Sequence, residues 1–272
     1  CRPCICASVI EPRKRPACDS LRNRWRPASL LGSPCRSAGC PRCGSNTLPK
    51  PPKAHWRFHE AIGLAEEHHH RVLPSERAVW DFEITRPALV LGSRQNDSIV
   101  DLEACATRGI DVVTRRSGGG LMLLIPGEHL WLDVVICHSD PLWSDDVQTS
   151  MNWLGAIWQR ALADCGITNS TVATGGLVAD ELGQLVCFAG RGPGEVMGSD
   201  GRMKYVGISQ RRNREQARFQ CTAYTKWDAD LLLDLLSEPV ADPERLRTMV
   251  GVVPVAPLVL AARVFELISE LD

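Results

Sequence analysis

A chain of 272 residues with 44% hydrophobic content and a formal net charge of −1 carries enough apolar material for one large or two small cores. Its longest apolar runs, such as Val252 to Ala262, are interrupted by Pro254 and Pro257 and fall short of the ~20 residues a membrane-spanning helix requires, so no membrane partner is expected. The charge is unevenly divided. Residues 1–54 carry 11 Lys+Arg against 2 Asp+Glu and residues 55–272 carry 20 against 30, which argues against nucleic acid as a partner of the second part.

The leading segment also holds seven of the twelve cysteines, Cys1, Cys4, Cys6, Cys18, Cys35, Cys40 and Cys43. Its Arg, Pro, Ser and Cys residues follow neither helical nor strand periodicity, so residues 1–54 are expected to be disordered or non-native. The segment lacks the apolar stretch of a signal peptide. Cys40-Pro41-Arg42-Cys43 has the spacing of half a zinc knuckle, without a convincing second pair. A Pro/Lys-rich linker at Leu48 to Lys53 closes this segment. The other five cysteines show no paired spacing and read as reduced thiols of a cytoplasmic protein.

From His55 to His70 the apolar positions have helical spacing, and His68 to His70 read as a solvated face rather than a metal site, because adjacent helical residues point in different directions. Strands are expected at Ala78 to Ile84 and Ala88 to Leu91, then a helix capped by Asp97 or Ser98 that ends near Gly109. Strands Ile110 to Thr114 and Leu121 to Ile125 flank a glycine run, and Leu130 to Cys137 follows. A helix spans Asp145 to Asp164. Further strands are predicted around Leu185 to Phe188, Met203 to Gln210 and Ala217 to Tyr224, and helices at Asp228 to Leu236, Pro243 to Val250 and Leu258 to Leu271. Strands in hairpin pairs with helices in separate blocks indicate an α+β fold, a mixed, largely antiparallel sheet layered with helices.

Two constellations carry chemistry. Arg115-Arg116-Ser117-Gly118-Gly119-Gly120 joins two predicted strands; residues without a Cβ let backbone N–H groups approach an anionic or planar ligand, and the arginines supply forked donors. Alternation over Met203 to Gln210 sets Lys204 on a face with Val206, Ile208 and Gln210. If that face looks inward, the ammonium needs a compensating anion; if outward, it is a solvated residue at a strand start. A second glycine loop, Gly190-Arg191-Gly192-Pro193-Gly194-Glu195, lies upstream, and Gln210-Arg211-Arg212 lies downstream. Together these describe an anion pocket in an otherwise acidic domain.

The strings RRSGGG and GRMKYVGISQRR in this order, with Glu66-Glu67 and the GSRQN of Gly92 to Asn96, resemble the lipoate-protein ligase A-like family of the biotin and lipoate ligase catalytic fold. The resemblance implies an enzyme that activates lipoate with ATP and Mg²⁺ to an acyl-adenylate. It then passes the acyl group to a lysine of a lipoyl domain, in a 2-oxoacid dehydrogenase complex or the glycine cleavage H protein. On this reading Lys204 is the essential lysine, and Arg115, Arg116, Ser117, Gly118, Gly119, Gly120, Gly194 and Gly207 cradle the cofactor. Where the family shows a His-Asp segment, this chain has Leu124-Ile125-Pro126-Gly127-Glu128; Asp133 is the substitute carboxylate for magnesium. Cys187-Phe188 stands where related octanoyltransferases carry a nucleophilic cysteine, which would form a thioester without ATP; a buried strand thiol is the alternative. A non-catalytic acyl-binding protein is the third reading.

Overall fold

The computed structural model describes residues 55–271, so the expectations for residues 1–54 lie outside the described residues. Ten strands form two sheets. In chain order they are β1 (Arg57–Gly63), β2 (Ala78–Ile84), β3 (Ala88–Leu91), β4 (Asp111–Thr114), β5 (Met122–Leu124), β6 (His129–Cys137), β7 (Ser170–Val172), β8 (Val196–Gly198), β9 (Lys204–Arg212) and β10 (Gln216–Tyr224). The helices are α1 (Ala65–His70), α2 (Leu102–Thr107), α3 (Asn152–Asp164), α4 (Glu181–Leu185), α5 (Ala229–Asp234), α6 (Pro243–Thr248) and α7 (Pro257–Ser269). The larger sheet has the order β1-β2-β6-β10-β9-β8-β7 and the smaller β4-β3-β5. Only β1 with β2 and β3 with β4 run parallel, so the expected α+β architecture with a largely antiparallel sheet holds.

The period of two along a strand explains why the large sheet is buried on both faces. On β6, Leu130, Leu132, Val134 and Ile136 join a core with Leu154 and Trp158 of α3 and with Leu260 and Val264 of α7. The alternate residues Trp131 and Val135 face a second core built from β3, β5, Phe82 and Phe188. Strand β10 divides in the same way, sending Ala217, Phe219, Cys221 and Ala223 to the α3–α7 side. Short helices are started by aspartates whose side chains accept backbone amides two or three positions on, at Asp101, Asp180, Asp228 and Asp242. No helix among the described residues is long and apolar enough to cross a membrane.

Three expectations are corrected. The predicted His55 to His70 helix is mostly strand β1, because backbone pairing along the edge of β2 satisfies seven residues at once, and helix begins only at Ala65. Around Leu185 to Phe188 the chain is helical, with α4 and a single 3₁₀ turn at Cys187–Ala189 in place of a strand. The helix ending near Gly109 starts later than predicted, capped by Asp101, while Asn96 caps a separate 3₁₀ turn. Strands β7 and β8 were not anticipated; each is three residues long, too short for alternation to register.

The parallel register sets Glu60 opposite Asp81, and Glu83 follows two residues along the same face. Burial, then the charges of Glu60 and Glu83, pushes the Asp81 carboxyl up to about 7. A carboxyl raised in the folded state binds a proton the unfolded chain has released, so stability falls as pH rises from the ordinary carboxylate range to about 7. Asp81→Asn is therefore expected to stabilise the protein at pH 8 by about 1–2 kcal/mol, allowing for solvent at this half-buried position. At pH 4 the two proteins should melt together. Equal melting temperatures at pH 8 would contradict this assignment.

Candidate active site

The glycine run does not close a hairpin. Strands β4 and β5 both pair with β3, on opposite sides, so Arg115 to Gly120 crosses over the end of β3. There it meets two other segments. The Ser93 amide donates to Ser117 O, and Gln95 Nε2 donates to the carbonyls of Gln184 and Leu185. Gly120 lies against residues 185–187, where a Cβ would stand 2.7 Å from Cys187 N and Val186 C. The glycines serve chain packing as well as ligand approach.

Beneath this crossover is a small cavity of about 20 Å³, walled by His69, Val90, Arg115, Met122, Leu124, Trp131, Cys187 and Gly207, and by Ile208, Ser209, Gln220 and Thr222 of β9 and β10. That volume suits one water molecule. An acyl chain can enter only if the wall moves.

Lys204, 1% exposed, does not itself line this cavity but is tied to Cys187, which does. Its ammonium lies 2.7 Å from Glu195 Oε2, donates to Cys187 O at 2.8 Å and sits 5.3 Å from the centre of the Phe188 ring. The inward orientation is therefore the one realised, and the compensating anion is Glu195. An ammonium has three N–H donors, so these two acceptors leave one for a ligand. The simple alternation is corrected in one respect. Val206 and Ile208 join the α3–α7 core, whereas the ammonium ends against Phe188, the same ring a Cβ at Gly207 would meet at 3.1 Å.

Glu195 is held in turn by the amides of Gly192 at 2.6 Å and Ile208 at 3.3 Å. This is the work of the second glycine loop, which sets a carboxylate against the lysine. Gly194 does not reach the cavity; its φ of +78° and its packing on Met151 make it a structural turn.

Arg115 is buried and clasps the crossover from within, donating to Gly118 O at 2.8 Å and Gly120 O at 3.0 Å, with Cys187 Sγ 3.6 Å away. Arg116, Gly118 and Gly119 are exposed, and Ser117 is buried with its hydroxyl donating to Gln220. The anticipated two-arginine-pair anion pocket is not assembled. Arg212 instead lies over the Trp143 ring at 4.1 Å, and Arg211 is exposed.

The three-histidine run is also corrected. His68 and His69 are buried, and only His70 faces solvent. His68 stacks on Phe82 and His69 packs on Trp131 with ring centres 4.3 Å apart, which brings His69 to the cavity wall. The available signal was position: a histidine following the apolar Ala65 by one helical turn shares its inward face.

Residues 55–255 match the model of the lipoyl protein ligase A/B catalytic domain. The chain belongs to that family. Among solved structures it is similar to a bipartite lipoate protein ligase of Thermoplasma acidophilum, solved in a study that included its E2 lipoyl domain, at TM-score 0.61 and 16% identity, covering 80% of this chain and 83% of that one. A lipoate-protein ligase A bound with ATP matches at TM-score 0.57 and 16% identity over 80% and 84% of the two chains. A putative lipoate protein ligase of T. acidophilum with bound lipoic acid matches at TM-score 0.55 and 16% identity over 79% and 84%. No curated relative matches the chain. At these identities the structural likeness establishes the ligase fold.

The expectation of a substitute carboxylate for magnesium is not met. Asp133 is fully buried in β6, engaged by Arg218 and by Trp131 Nε1 at 2.8 Å, so it is a structural anion and no longer a candidate for magnesium. The cavity wall holds no carboxylate, and no group of three His, Cys, Asp or Glu among the described residues could hold a metal ion. No step through magnesium is derived from these residues.

Proposed function

We propose that this protein activates lipoate, or octanoate, and attaches the acyl group to a lysine of a lipoyl domain, with ATP as the activating substrate. The carrying observation is the buried Lys204 ammonium, hydrogen-bonded to the carbonyl of Cys187 on the cavity wall and left with one donor uncommitted. A carboxylate entering that cavity would meet the free N–H, and the same cation would offset negative charge that develops as the acyl carbonyl is attacked. The exposed backbone of Gly118 and Gly119 and the Arg116 guanidinium suit the anionic part of an adenylate. Opening the cavity for an eight-carbon chain would be offset by ~0.8 kcal/mol for each CH₂ buried. The relatives of known structure that bind lipoic acid and ATP support this reading.

A second route is favoured by one observation: Cys187 lies on the cavity wall, its sulfur 3.6 Å from the Arg115 guanidinium. There the thiol would take the octanoyl group of an acyl carrier protein as a thioester and pass it to the acceptor lysine without ATP.

The full chain, incubated with a lipoyl domain and either lipoate plus ATP or octanoyl carrier protein, separates the two by the mass of the acceptor. The adenylate route predicts modification that requires ATP and survives Cys187→Ser. The thioester route predicts modification without ATP that Cys187→Ser reduces by more than about 10³-fold, as for loss of a nucleophile. No modification under either condition would refute both.

A further inference from the structure

Two buried nitrogens on the cavity wall have no hydrogen-bond partner, His69 Nε2 and Arg115 Nε. His69 is 8% exposed. Its Nδ1 stands 3.4 Å from Gln220 Nε2, and the Gln220 oxygen accepts from the Ser117 hydroxyl at 3.1 Å. That second bond orients the amide with its nitrogen toward the ring. An amide nitrogen only donates, so Nδ1 accepts and the ring proton resides on Nε2. Burial, then the charges of Arg115 and Arg218, holds this imidazole well below its ordinary pKa, so at neutral pH it carries a single N–H. The result is an oriented donor without an acceptor, near the likewise unpartnered Arg115 Nε, in a wall whose apolar members are Val90, Met122, Leu124, Trp131 and Ile208. Such a group is unfavourable unless something completes it.

Its place across the sheet indicates what that is. His69 packs on Trp131 of β6, Lys204 belongs to β9, and β10 lies between them. Two strand spacings across the sheet and a three-residue offset along it, since Trp131 and Gly207 both stand opposite Thr222, separate the backbones by on the order of 14 Å, part of which the Lys204 side chain covers. A medium-length acyl chain with its carboxyl end at Lys204 reaches His69 with its far end. We propose that His69 determines specificity there, its Nε2–H donating to a hydrogen-bond acceptor on the acyl tail, so that tails bearing oxygen or sulfur are selected over plain alkyl chains. This rests on the acyl-site reading above.

Calorimetric titration of the full chain with octanoate, with octanoate bearing a ketone beside its terminal methyl, and with lipoate tests the proposal. The wild type should bind at least one acceptor-bearing acid about tenfold more tightly than octanoate. In His69→Leu that preference should vanish while octanoate binds as well or better; His69→Gln, which keeps an amide donor, should retain part of it. A preference confined to the ketone identifies an oxygenated tail, and one that includes lipoate identifies the dithiolane sulfur, a weaker acceptor. Absence of any preference in the wild type, or one that persists in His69→Leu, would mean that Nε2 only holds a structural water, and the proposal would fail alone. Failure of all three acids to bind the wild type would remove the acyl site itself. Thermal unfolding of each variant checks its fold, and should His69→Leu not fold, the graded loss in His69→Gln carries the comparison.

Discussion

The double variant Lys204→Met/Glu195→Gln is expected to fold and to transfer acyl groups on the order of 10²–10³-fold more slowly than the wild type. The two residues have to be changed together because each is almost wholly enclosed and is the other's counter-charge, 2.7 Å apart. Lys204→Met alone would leave the Glu195 carboxylate buried beside an apolar chain, a cost of about 3–5 kcal/mol. For a domain of this size that lowers Tm by roughly 10 °C, so lost activity in the single variant would confound chemistry with stability. Glutamine at 195 removes the stranded charge, and its single oxygen can still accept from the Gly192 amide, giving up the longer bond from Ile208. Single-turnover transfer to a lipoyl domain, measured beside thermal unfolding, separates the effects. A double variant with full transfer rate would reduce Lys204 to a structural cation.

Gly92→Ala should be the most damaging added methyl group among the described glycines. A Cβ at this position would stand 1.8 Å from Gly119 O, closer than any real contact, and the obstacle is backbone. Either the 92–95 segment or the glycine crossover must retreat, at a cost of about 2–3 kcal/mol as in other overpacked sites. The crossover is clasped by Arg115, a wall residue of the cavity, so activity should fall with stability. Gly118→Ala supplies the contrast, since a Cβ there meets nothing within 4 Å and the backbone has no positive φ. It should melt with the wild type while binding the adenylate or acyl donor less well, because only an incoming ligand would meet the new methyl. If Gly118→Ala both folds and binds normally, the crossover touches no ligand at that residue. Thermal unfolding and ligand titration of the two variants read these outcomes.

Much of the cavity was legible in the residues. Arg115, Cys187 and Gly207 line it and Lys204 is bonded to Cys187, and Lys204 stands out in the sequence because an ammonium next to Val206 and Ile208 is either exposed or compensated. What compensates it was not legible. Glu195 stood inside the second glycine loop and had been read as part of a turn, since ion pairing across strands β8 and β9 depends on a register shift at Val196 and Met197. The same limit explains His69. Three histidines in a row carry no periodicity, and the burial of the middle one follows from where α1 docks on Trp131.

Composition and alternation by themselves determined the α+β class, most of the long strands and the two glycine-containing motifs. These are local properties, because a strand buried on one or both faces must repeat its side chains with the period of the backbone. Tertiary structure alone decided that Asp133 answers Arg218 and not a metal, that Arg212 turns away to Trp143, and that β1 is an edge strand where helical spacing had suggested otherwise. Each of those outcomes is a choice among partners distant in the sequence. A buried charge or an unpaired strand edge takes whichever complement the fold brings within hydrogen-bond reach, and no short stretch of sequence encodes that distance.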